Sequence, residues 1–144
     1  MKRSLILLFL AICTLGCSKQ KSQNQTHSPA APKDFAILEQ TSKETGWKAA
    51  LSYDPSPAVI GKETAFTLRL TNPSGAPVDG AQVNFALLMP LMDMKAQRFE
   101  ARNSGGGIYN GTGAFSMNGI WIVQANIEKN SAKAHLEFEV HVGQ

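Results

Sequence analysis

Met89, Met92 and Met94 fall within six residues of one another in the run L-L-M-P-L-M-D-M (residues 87–94), and Met117 follows in F-S-M-N-G-I-W (115–121). Only the initiator adds a fifth methionine. Thioether sulfur is a soft, neutral donor that suits Cu(I), so three or four converging Met side chains could hold that ion without losing a proton. Methionine is also the flexible filler of irregular cores and loops. Spacing alone leaves both roles open. If the chain stays extended beyond Pro90, Met92 and Met94 at i and i+2 project to one side. Met89 joins them only if the chain bends at Pro90, and Met117 only if its loop lies at the same end of the fold.

Other chemistry finds little material. His135 and His141 lie on the polar face of an alternating segment, where six residues at strand rise separate them by about 20 Å. Both read as solvated, as does His27 in a polar segment. No Ser-His-Asp or metal-hydrolase spacing occurs. Gly105–Gly107 lie between strand patterns rather than opening a helix, so they are no phosphate cradle. An enzyme is not expected.

The elements that must position the methionines alternate with period two, the signature of half-buried strands. Residues 47–53 place Trp47, Ala49, Leu51 and Tyr53 on one side. Residues 64–71 place Phe66, Leu68 and Leu70 together, then end in N-P-S-G, where Pro presets φ and Gly accepts a positive one. Val83, Phe85, Leu87 and Met89 share a face, and Pro90 interrupts that strand because it lacks a ladder donor. Residues 95–101 form a short strand before a loop over 103–107. Residues 108–115 form a weaker one, with Gly111 and Gly113 marking a bulge or a close approach. Residues 119–127 and 133–142 complete the set, with Trp121 and Phe138 as the expected heart of the core. Seven short strands without helical periodicity predict an antiparallel β-sandwich of immunoglobulin-like architecture, lacking the usual disulfide.

The ends behave differently from this domain. Lys2 and Arg3, the apolar run Leu5–Leu15 and small Gly16 before Cys17 read as a signal peptide over residues 1–16. The Gly16-Cys17 junction resembles the lipobox of bacterial lipoproteins, with Thr14 where Leu is favoured; it makes Cys17 the expected lipidation site and membrane anchor. Ordinary secretion is the alternative. Residues 17–46 are rich in Ser, Gln, Asn, Lys and Pro and read as a disordered tether, in which the apolar island Phe35–Leu38 either docks on the domain or is loose, leaving the domain to 47–144. The formal charge of +3 comes from the signal and tether, since residues 47–144 carry eight basic and eight acidic side chains. A nucleic-acid surface, which needs a clustered basic footprint, is therefore not expected.

Four motifs in order, G-x-P-V-x-G-A-x-V (75–83), M-P-x-M (89–92), G-x-Y (107–109) and M-x-G-x-W (117–121), resemble the YtkA-like domain, a small β-sandwich related to the FixH family. The resemblance covers about residues 47–142. It implies an exported or membrane-anchored accessory protein associated with metal efflux systems or with assembly of copper-containing oxidases. It also implies that Met89, Met92, Met94 and Met117 are Cu(I) ligands. The membrane helix of FixH is missing, and no His stands in the Met stretch. The competing reading is an envelope interaction module with Met89, Leu91 and Met92 as an apolar contact patch. Ser18 after the lipidated Cys17 resembles outer-membrane sorting, so the expected location is the periplasmic face of the outer membrane in a double-membraned cell.

Overall fold

Alternating side chains build strands wherever they recur, and the computed structural model, which describes residues 36–143, contains eight strands and no helix among them. They are β1 (Leu38–Thr41), β2 (Lys48–Asp54), β3 (Glu63–Thr71), β4 (Gln82–Leu88), β5 (Gln97–Gly105), β6 (Ile108–Ala114), β7 (Gly119–Lys129) and β8 (Ala132–Val142). The signal segment, Cys17 and His27 lie outside the described residues. β8 is the plainest case of the pattern, burying Ala134, Leu136, Phe138, Val140 and Val142 while the residues between them face solvent.

The eight strands pair antiparallel in the order β1-β2-β3-β6-β5-β4-β7-β8, and outside them Ala58 makes a parallel bridge to Val142. β5 makes this one sheet. Its first half, Gln97–Ala101, pairs with β4, and beyond it Arg102, Asn103 and Gly105 pair with β6, with a register shift between Asn103 and Gly105. The sheet folds over at that strand and encloses the core. The expected seven strands are thus eight, and the two layers are joined rather than separate. The loop expected over 103–107 shortens because β5 continues to Gly105 before the turn.

The added strand overturns part of the tether assignment. Residues 38–41 pair with Leu51 down to Lys48. The turn that follows is closed by Ser42 N donating to Trp47 O (2.8 Å) and Gly46 N to Ser42 O (2.9 Å). Leu38 and Trp47 pack against the core. Composition left this hairpin open because β1 buries little: its pattern is one half-buried residue followed by three exposed ones. The first described strand of the fold therefore lies upstream of Trp47.

Trp121 and Phe138 are buried, but the aromatic centre is Phe66. Its ring lies 5.5–6.5 Å from those of Phe99, Phe115, Phe85 and Tyr53. Cutting such a ring to Ala costs about 3–5 kcal/mol. Gly111 and Gly113 make room for this cluster rather than a bulge: a Cβ on Gly113 would stand 2.6 Å from Phe99 Cε1, and one on Gly111 3.0 Å from Phe99 Cε2.

At one end of the sandwich two of the motifs form a single knot. The Tyr109 hydroxyl donates to Val78 O (2.6 Å) and accepts from Ala81 N (3.1 Å). Gly107, at φ +71°, donates its N–H to Asp79 Oδ1 (2.7 Å), and its carbonyl accepts from Leu70 N (2.7 Å). A Cβ there would lie 2.3 Å from Leu70 O, so only glycine fits. The β3–β4 turn is thereby pinned to the start of β6, and the opposite end is left to the methionine loops.

Candidate metal centre at the methionine rim

β4 ends at Leu88, and Pro90, with no N–H to give, follows one residue later. The chain then folds back on itself. Met92 N donates to Met89 O (3.1 Å), and Met94 N donates to Met92 O (2.9 Å). The extended run that was to set Met92 and Met94 on one side does not exist, because two tight turns replace it. Met92 is 52% exposed, whereas Met94 is half-buried and packs on the core.

Tertiary packing assembles the rim instead. The loop before β7 lies beside the β4–β5 loop: a Cβ placed on Gly119 would stand 2.6 Å from Met89 Cε, so that methyl occupies the space the glycine leaves. Gly119 also has φ +133°, a conformation that favours glycine. Two residues on, the Trp121 indole N–H donates to Met117 O at 3.1 Å and closes the loop. The M-x-G-x-W motif is therefore a local clamp that sets Met117 and Met89 at one end of the sheet. Trp121 and Met94 line one cavity of about 440 Å³, with Phe115, Ala114, Gln97 and Lys95 around them.

Met89, Met94 and Met117 are each half-buried against the core, Met89 Cε beside Gly119 and Met94 in the cavity with Trp121, and Met92 is exposed in the same loop as Met94. Among the described residues no three His, Cys, Asp or Glu side chains converge on a common point. The donor set at this rim is soft and neutral, suited to Cu(I) rather than to a hard cation. Asp93 lies between two of the methionines, and Lys95 lines the cavity.

His135 and His141 lie on the exposed face of β8, His135 opposite Asn126 and His141 opposite Ile120 at the rim end of the strand. His135 pairs with Asn126 (2.7 Å) and Glu137 (3.3 Å), and His141 with Glu139 (2.7 Å). Hydrogen bonds from Gln124 and then His135 hold the Glu137 carboxyl below its ordinary pKa. The Ser42 hydroxyl, first among several causes, does the same for Glu44.

A match to the YtkA-like family spans residues 41–126, more than half of the chain and all four rim methionines. The chain belongs to the YtkA-like family. The match begins inside β1, in agreement with a fold that starts upstream of Trp47. The YtkA-like chain is also similar to the crystal structure of the PmoD soluble domain from Methylocystis sp. ATCC 49242 (Rockwell). The TM-score is 0.51 at 12% identity, over 75% of this chain and 98% of that one. At such identity the likeness is one of fold. No curated protein matches the chain.

Sequence reasoning missed Tyr109 and Gly119 as individual residues. Their signal was present: both sit in motifs that carry the resemblance, and each proves to be a device that fixes a loop.

Proposed function

We propose that this YtkA-like protein is an exported accessory protein, lipid-anchored at Cys17, that carries Cu(I) on Met89, Met92, Met94 and Met117. It would act in copper handling, efflux or cuproenzyme assembly, without catalysing a reaction. A metal efflux system or assembly factors of a copper-containing oxidase would be its partners, at the periplasmic face of the outer membrane in a double-membraned cell. One observation carries the reading. Two segments separated by the β5–β6 hairpin, 89–94 and 117–121, meet at one rim with Met89 Cε against Gly119.

The donors fit the cargo. Thioethers bind without releasing a proton, so affinity should not follow the pH dependence seen with Cys or His ligands. The exposed Met92 offers a first contact, and the half-buried three would replace the ion's water shell. Leu in place of Met keeps size and hydrophobicity while removing sulfur, and such swaps cost less than about 1.5 kcal/mol. The double change Met92→Leu and Met94→Leu should leave the thermal transition nearly unmoved and weaken Cu(I) binding at least tenfold in a competition titration under reducing conditions.

A second reading is favoured by Leu91, which is 90% exposed beside Met92. There Met89, Leu91 and Met92 would form an apolar contact patch of an envelope module. Equal Cu(I) affinity in the wild type and the double variant would decide for it.

A further inference from the structure

The exposed apolar side chains are segregated. Among the described residues the large exposed hydrophobics are Ile37, Val59, Ile60, Leu91, Met92 and Ile120. Val59 and Ile60 belong to the loop between β2 and β3, Leu91 and Met92 to the loop between β4 and β5, and Ile120 to the start of β7. These segments adjoin one another. Gly61 and Met94 line the same cavity, Gly61 N donates to Phe115 O (2.8 Å), and Met89 touches Gly119. The opposite end, built from residues 42–47, 72–81, 105–107 and 130–131, carries none of them. An apolar patch confined to one end of a sandwich marks a docking surface.

The course of the chain indicates what is docked. β1 runs from Leu38, opposite Leu51, to Thr41, opposite Lys48, while β2 runs the other way towards the rim. The start of β1 is therefore its rim-ward end, and Ile37 directly precedes it. Upstream lie Cys17 and the apolar run Leu5–Leu15, and the 21 residues from Cys17 to Leu38 reach at most about 70 Å. Under the anchoring proposed above, a connection of this length would hold the domain near the membrane at an effective concentration on the order of millimolar, enough for a weak surface contact to persist. The charges of the rim nearly cancel, Lys62 and Lys95 against Asp54, Glu63 and Asp93. Apolar insertion, not attraction to anionic headgroups, must supply the contact.

We propose that the methionine end of the sandwich is a lipid-facing surface, on which Leu91, Met92, Ile60, Val59 and Ile120 rest in the headgroup region of the bilayer that holds the N-terminal segment. The inference rests on the anchoring part of the function proposed above. It means that a metal carried on the rim would be presented towards the membrane plane, to a partner embedded there.

The test uses the full chain with phosphatidylcholine vesicles whose acyl chains are brominated near the headgroup. Leu91→Trp adds a fluorophore at the rim, and Ser74→Trp adds one at the far end; the unsubstituted chain supplies the background from Trp47 and Trp121. Bromine should quench the added emission at 91 at least twofold more than that at 74, whether the chain is purified with membranes or added to the vesicles from solution. Equal quenching overturns the proposal. So does an emission at 91 that is already blue-shifted without vesicles and unmoved by bromine, which would assign the patch to a second copy or another protein. Labelling Cys17 with radioactive palmitate separates the two ideas: a labelled chain with an unquenched Trp at 91 retains the anchor and loses the lipid-facing end.

Discussion

Tyr109 shows how much one side chain can settle. Its ring is fully buried, and its hydroxyl serves Val78 O and Ala81 N at once. Tyr109→Phe leaves both backbone groups buried and unpaired, which should cost about 1–3 kcal/mol in urea unfolding. The same residue predicts a pH dependence. Burial raises the phenol pKa above its ordinary value of about 10; the Ala81 N–H opposes the rise and the Asp79 carboxylate adds to it. Above that pH the unfolded chain binds fewer protons than the folded one. The stability is therefore complete below about 10 and falls as pH rises through the higher folded value. The melting temperature of the wild type should drop above pH 10 more steeply than that of Tyr109→Phe, and parallel curves would deny the residue this role. The sequence displayed Tyr109 in a G-x-Y motif but not its partners, because Val78 and Ala81 are reached only once β3, β4 and β6 have come together.

At the scale of elements, β5 and β6 illustrate packing that composition does not reveal. Gly111 and Gly113 weaken β6 by propensity, yet they give Phe99 the space it occupies between the layers. Gly113→Ala should destabilise by about 1–3 kcal/mol, as overpacking does. Its φ is not in the left-handed region, so the strain is steric and belongs to the contact with Phe99. Combining it with Phe99→Leu should therefore cost less than the sum of the two single changes, by about 0.5–3 kcal/mol. Strict additivity in denaturant midpoints would mean that the ring and the glycine do not share that space. Period two announced both strands in the sequence. The switch of β5 from β4 to β6 left no such mark, since a strand that changes partners keeps its alternation.

For the whole molecule the decisive element is β1, which composition left open. β1 covers the outer edge of β2, and the β1–β2 turn buries Ser42. A chain beginning at Gly46 should melt well below one beginning at Pro32 and aggregate on heating, because an uncovered edge strand offers its free N–H and C=O groups to other chains. Limited proteolysis of the full chain should accordingly stop upstream of Leu38; a stable fragment starting near Trp47 would return β1 to the tether. The sequence by itself determined that the domain is all-β, placed seven of its strands to within a few residues, and supplied the soft donors of the rim. Alternation and donor type are local properties that survive in any arrangement of the strands. Tertiary structure decided the rest: that two tight turns leave Met92 exposed and Met94 half-buried, that Met89 meets Gly119, and that the segment carrying Met117 reaches the same end from beyond the β5–β6 hairpin. Such meetings depend on which strands pair and which loops share an end, and that choice is made by the burial of Phe66 and its aromatic neighbours between the folded halves of one sheet.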